Sequence, residues 1–200
     1  MENRDDRIKL VFATNNIHKF KEIERVLRGT VLLMNLNDLG FKGDIPEDKD
    51  SLEENAAQKA YFIYDKYGIN CFSDDTGLEI EALRGEPGVY SARYAGLNCS
   101  FGDNLKKVLE KMKGQTNRRA SFRTVIALVE QGKLTIFAGE IRGHITEEKR
   151  GNLGFGYDPV FMPLGYNKTF AEMSLEEKNM ISHRALAIRK LAGYFTGDRL

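Results

Sequence analysis

Residues 119–129 and 133–145 are two long β-rich segments joined at Gln131-Gly132, and that short connection restricts the fold sharply. A link of two residues joins antiparallel strands, because a parallel pair needs a crossover of a dozen residues or more. The second half of the chain therefore supplies an antiparallel hairpin. The first half reads differently. Residues 8–13, Ile-Lys-Leu-Val-Phe-Ala, form a short apolar run of strand type,. Phe20, Ile23, Val26 and Leu27 then recur at helical spacing, with Gly29 placed to stop the helix,. A second apolar run covers residues 30–36, and Ser51-Leu-Glu-Glu54 has the form of a capping box that opens a helix ending at Gly68,. Strand-like and helical segments alternate here, so a mixed α/β sheet is the fold class expected.

Two hundred residues, 42% hydrophobic and 30% charged, suit one soluble domain with one good core, possibly bilobed,. The net charge of +1 excludes a polybasic nucleic-acid footprint, so an anionic ligand has to be met locally,. The first seven residues are charged and lack an apolar signal core, and no stretch approaches the roughly eighteen apolar residues of a membrane span,. A cytoplasmic protein is expected, without a nucleic-acid or membrane partner. Cys71 and Cys99 have no metal-ligand spacing and read as two reduced structural thiols,.

Five polar constellations carry candidate chemistry. Ser73-Asp74-Asp75-Thr76-Gly77 follows the apolar residues 69–72 and is expected where a buried strand ends in a turn. Paired carboxylates there suit Mg²⁺, which takes one or two protein carboxylates and completes its shell with water and phosphate oxygens. The other reading is a polar turn with local caps. Thr14-Asn15-Asn16-Ile17-His18-Lys19 falls at a strand-to-helix turn, where free N–H groups and the helix dipole favour phosphate and Lys19 adds a point charge,. An Asn that caps the helix explains the same residues. Asn55 and Lys59, four apart, share a helix face behind an acidic loop that contains Asp44, Glu47, Asp48 and Asp50,. Gly154-Phe155-Gly156-Tyr157-Asp158-Pro159 is either a loop with core aromatics or a place where Phe155 or Tyr157 stacks on a base,. Finally, Lys178, Ser182, His183 and Arg184 lie within seven residues, with Ser182 placed to cap the last helix.

These segments, together with Pro87-Gly-Val-Tyr-Ser-Ala-Arg-Tyr-Ala-Gly96, come in the order found in the inosine triphosphate pyrophosphatases, also called non-canonical purine NTP pyrophosphatases or HAM1-like proteins. The chain resembles that family from about residue 8 to residue 191. The resemblance implies an elongated mixed α/β fold of two lobes with a central cleft, over residues 1–200, and a homodimer. It also implies Mg²⁺-dependent hydrolysis of ITP, dITP, XTP and dXTP to the monophosphate and pyrophosphate, which keeps the nucleotide pool clean. On this chain Asp75 resembles the general base and a metal ligand, with Glu47 as its metal partner. Thr14, Asn15, Asn16, Ile17, His18, Lys19, Lys59 and Thr76 resemble the triphosphate contacts. Phe155, Gly156, Tyr157, Asp158, Lys178, His183 and Arg184 resemble the base pocket. Asn15 stands where relatives often have glycine, and Thr76 where many have serine. A nucleotide-binding sensor without turnover is the alternative, disfavoured by Glu47, Asp75 and Lys19 being present together.

Overall fold

The computed structural model describes residues 7–197, so the charged N-terminal hexapeptide lies outside the described residues. Strand β1 (Ile8–Phe12) leads into helix α1 (Ile17–Leu27), which returns to strand β2 (Val31–Met34) parallel to β1 with Ile8 opposite Val31. Asn16 caps α1, its side chain accepting from the backbone N–H groups of His18 and Lys19, and Gly29 follows with φ of 91°. A 3₁₀ turn at Leu36–Leu39 opens the acidic loop. Helix α2 (Leu52–Tyr67) starts at Ser51, whose hydroxyl accepts from Glu54 N–H, and ends at Gly68 in the left-handed conformation. Both ends fall where the sequence places them.

Strand β3 (Cys71–Ile80) then pairs with β1 in parallel, Phe72 opposite Phe12. It differs from expectation, because the acidic pair does not end a strand. Ten residues run extended straight through Asp74, Asp75, Thr76 and Gly77, and β3 gives way to a 3₁₀ turn at Glu81–Leu83. Close approach explains the glycine. A Cβ on Gly77 would lie 2.9 Å from the carbonyl oxygen of Gly88, in the short strand β4 (Pro87–Gly88) that pairs antiparallel with β3.

Helix α3 (Phe101–Lys111) is followed by β5 (Arg119–Glu130) and β6 (Lys133–Ile145). Gln131 and Gly132 both take positive φ, 51° and 77°, the geometry of a type I′ hairpin turn,. Strand β7 (Phe161–Pro163) pairs antiparallel with β6, and helices α4 (Leu175–Ile181) and α5 (His183–Thr196) complete the chain. Among the described residues the sheet has seven strands in the order β2-β1-β3-β5-β6-β7, with β4 beside β3. No helix among them is long and apolar enough to cross a membrane.

Contacts divide the chain into two compact units, each assembled from separate segments. The first holds the described residues up to Asp74, Val125–Phe137 and those from Ala187 on; the second holds Asp75–Thr124 and Ala138–Leu186. Each has its own core. In the first, Leu10, Phe12, Ile23, Leu27, Phe72, Ile126 and Leu191 pack together, with Phe12 and Phe72 stacked at 4.6 Å. In the second, Phe122, Phe161 and Phe170 meet Leu78, Leu105, Val108 and Met112.

Candidate active site

Charged side chains are almost never fully buried unless paired, yet Lys59, Asp74, Asp75, Asp158, Lys178 and Arg184 are all buried here. They fall into two clusters, one in each unit.

The first cluster is carried by α1, α2 and the start of β3. Ser73 donates its hydroxyl to the Ala56 carbonyl of α2, which fixes the strand against that helix. The next residue, Asp74, points to the other strand face and is 1% exposed, with Lys19 Nζ at 3.0 Å from Oδ1. On α2, Lys59 Nζ lies 2.6 Å from Glu47 Oε1. The loop bearing Glu47 reaches Lys59 because α2 staples it down. Asn55 accepts from Lys49 N–H at 2.8 Å and donates to Lys49 O, while Gln58 donates to Asp48 Oδ1. That last bond, helped by Lys49, holds the Asp48 carboxyl below the usual range. The acidic loop is thus an ordered arm of the site. In the polar knot, Thr14 Oγ1 accepts from Asn16 N–H and Asn15 donates to Gly43 O at 3.0 Å, so the side chains mostly hold the turn itself. Ile17 and His18 are exposed.

The second cluster begins one residue later on β3. Asp75 is 5% exposed. Thr76 Oγ1 lies 2.8 Å from Thr124 Oγ1 and accepts from Arg184 Nη2 at 3.3 Å. Lys178 Nζ donates to Asp158 Oδ2 at 2.7 Å, both side chains being 4% exposed, and the same oxygen accepts from Phe155 N–H. Gly154 sits under this carboxylate with φ of 73°, and a Cβ there would collide with it. The first glycine of the aromatic loop therefore makes room for Asp158. Lys178 and Arg184 stand 5.0 and 5.5 Å from the centroid of the Phe155 ring, within cation–π range,. Tyr157 is in the core instead, its hydroxyl donating to Ser91 O and its pKa pushed up by burial. The His183 ring is buried and stacks on Phe122 at 4.5 Å and 13°. Ser182 accepts from Ala185 N–H, the cap expected for α5.

Three features of the candidate site escaped the sequence reading: the pairing of Asp74, the residue Thr124 and helix α4. Asp74 is the partner of Lys19, 55 positions away. Thr124 faces Thr76 from β5; its trace in the sequence is one hydroxyl ahead of the apolar run at 125–129. Helix α4, which presents Lys178, is announced by Ser174-x-x-Glu177, a capping box formed in full. Both cysteines are free thiols, and burial pushes that of Cys71 up to about 12.

The model of the Ham1 family matches residues 10–194. The chain belongs to the Ham1 family. Curated Ham1 relatives include the dITP/XTP pyrophosphatase of Flavobacterium johnsoniae, 48% identical over 192 residues, covering 96% of this chain and 100% of the relative. Another is that of Porphyromonas gingivalis, 51% identical over 187 residues, covering 93% and 96%. Among solved Ham1 structures, the Staphylococcus aureus protein superposes with a TM-score of 0.86 at 37% identity, covering 96% of this chain and all of its own. The HAM1 protein of Coxiella burnetii gives 0.88 at 37%, covering 95% and 99%.

Proposed function

We propose that this chain hydrolyses non-canonical purine nucleoside triphosphates, ITP, dITP, XTP and dXTP, to the monophosphate and pyrophosphate, and so removes deaminated purines from the nucleotide pool. The observation that carries the reading is a set of paired charges in which Asp74, Lys59 and Asp75 are buried: Asp74 with Lys19, Glu47 with Lys59, and Asp75 beside Asp74 in sequence. The names of the curated relatives agree with it.

Among the described residues no three His, Cys, Asp or Glu side chains are gathered to hold a metal ion. Mg²⁺ does not require three, since one or two carboxylates with water and substrate phosphates complete its shell. The hard oxygens of Glu47 and Asp75 fit that donor set; they would hold Mg²⁺, which would supply charge neutralisation at the phosphate oxygens. Asp75 takes the proton from a water attacking the α-phosphorus. The bond from that phosphorus to the bridging oxygen breaks, and pyrophosphate leaves with its charge met by Lys19 and Lys59. Thr14, Asn15, Asn16, Ile17, His18 and Thr76 complete the triphosphate contacts, with backbone N–H groups at the start of α1 as the donors.

The base is read by the second cluster. Phe155 offers a face for stacking, while Lys178 and Arg184, aimed by Asp158 and Thr76, donate to the 6-oxo group. Adenine presents a 6-amino donor to those donors, a buried mismatch that costs a factor of roughly one hundred or more. Gly156, Tyr157 and His183 shape this pocket. The enzyme works as a homodimer in the cytoplasm. A pyrophosphate-release assay with Mg²⁺ over ITP, XTP, GTP and ATP tests the reading: release of pyrophosphate from ITP and XTP supports it, and orthophosphate as the first product, or equal turnover of ATP, overturns it.

A further inference from the structure

Phe101 is a large apolar side chain left 46% exposed at the first position of α3. Its backbone is rigidly set. Ser100 and Asp103 form a complete capping box, with Asp103 Oδ2 accepting from Ser100 N–H at 2.8 Å. The helix is tied to the preceding loop by the buried Asn104, which accepts from Ala95 N–H at 2.7 Å and donates to Ala92 O at 3.0 Å. These bonds hold the Phe101 ring 5.9 Å from the Phe155 ring at an interplanar angle of 46°. The two rings are neither stacked nor perpendicular, so a flat ligand lying on one meets the other along its edge.

We propose that Phe101 is a further base-binding residue, a second aromatic wall that meets the purine base beside Phe155. The inference rests on the reading of Phe155, Lys178 and Arg184 as the base pocket. Three observations carry it: the exposure of an apolar ring, its contact with the one aromatic that lies under two buried cations, and the cap that fixes it there. Stacking on an aromatic is tolerant of base identity, so Phe101 strengthens binding of any purine, and the 6-oxo choice stays with Lys178 and Arg184.

The test compares wild type with Phe101→Ala and Phe101→Tyr. Steady-state kinetics with ITP should show KM raised about tenfold in Phe101→Ala with kcat nearly unchanged, and wild-type KM in Phe101→Tyr, the size expected for one stacked base. Calorimetric titration with IMP should weaken by the same factor, and titration with pyrophosphate, which has no base, should not change. An unaltered KM and IMP affinity in Phe101→Ala overturns the inference, as does an equal loss for pyrophosphate. A change in oligomer mass at unchanged KM overturns it too and assigns Phe101 to a subunit contact. Failure of the wild type itself to hydrolyse ITP sinks the base-pocket reading and this inference together, whereas an active wild type with the same kcat/KM for ITP in Phe101→Ala sinks the inference alone.

Discussion

Asp75 and Asp74 are adjacent, both buried, and on opposite faces of one strand, which separates their work. Asp74 is committed to Lys19. Asp75→Asn keeps side-chain shape and removes the carboxylate proposed above as proton acceptor and metal ligand. The fold should survive, by circular dichroism, while kcat for ITP falls by about two to four orders of magnitude, the usual contribution of a general base; near-normal turnover in a folded variant would remove Asp75 from the chemistry. Asp158 has a structural duty as well, since its carboxylate accepts from the buried Lys178 ammonium and from Phe155 N–H. Asp158→Ala strands a buried cation, and urea unfolding should register a loss of about 3–5 kcal/mol. A loss below about 1 kcal/mol would mean that Lys178 is stabilised chiefly by other groups.

At the scale of elements, glycines divide into those that turn the chain and those that admit a neighbour. Gly77 is of the second kind. Gly77→Ala brings a methyl group against the Gly88 carbonyl in β4 and should destabilise the protein by about 1–3 kcal/mol,, read as a lower urea midpoint, while Gly156→Ala meets no atom within 4 Å and is strained only through its positive φ. This glycine also shows where sequence reasoning stopped. Helix ends were legible because caps are local: Asn16, Ser51, Gly68 and Ser182 act on residues within four positions. The β5–β6 hairpin was legible for the same reason. Asp-Asp-Thr-Gly reads as a turn because Asp and Gly are depleted in strands, and what keeps them extended is distant in sequence. Lys19 answers Asp74 across 55 positions, and Arg184 answers Thr76 across 108. Such partners leave no periodic trace.

For the whole molecule, the two units are not consecutive stretches, and β3, β5, β6 and α5 each contribute residues to both. Neither can be excised as one piece of chain, so unfolding followed by far-UV and near-UV signals should give one coincident transition. Two separated transitions would show that the units melt apart. Alkali should weaken both cores. Burial raises the thiol of Cys71 in one to about 12 from an ordinary 9, and raises Tyr157 in the other. Each folded group holds its proton more tightly than the unfolded chain does, so this stability is complete below the unfolded pKa and is lost as pH rises toward the folded one. Unfolding free energy should fall between about pH 9 and 12, with a shallower slope in Cys71→Ala; an identical slope would clear the thiol of responsibility.

The ion pairs of Lys19 with Asp74 and Lys59 with Glu47 have a kinetic corollary. In the proposed cycle each ammonium turns from its carboxylate to the incoming polyphosphate, and each carboxylate waits beside it while the leaving group departs. Pyrophosphate therefore competes with counter-ligands already tethered to the protein. On that proposal the pairs that order the site also help to evict its product.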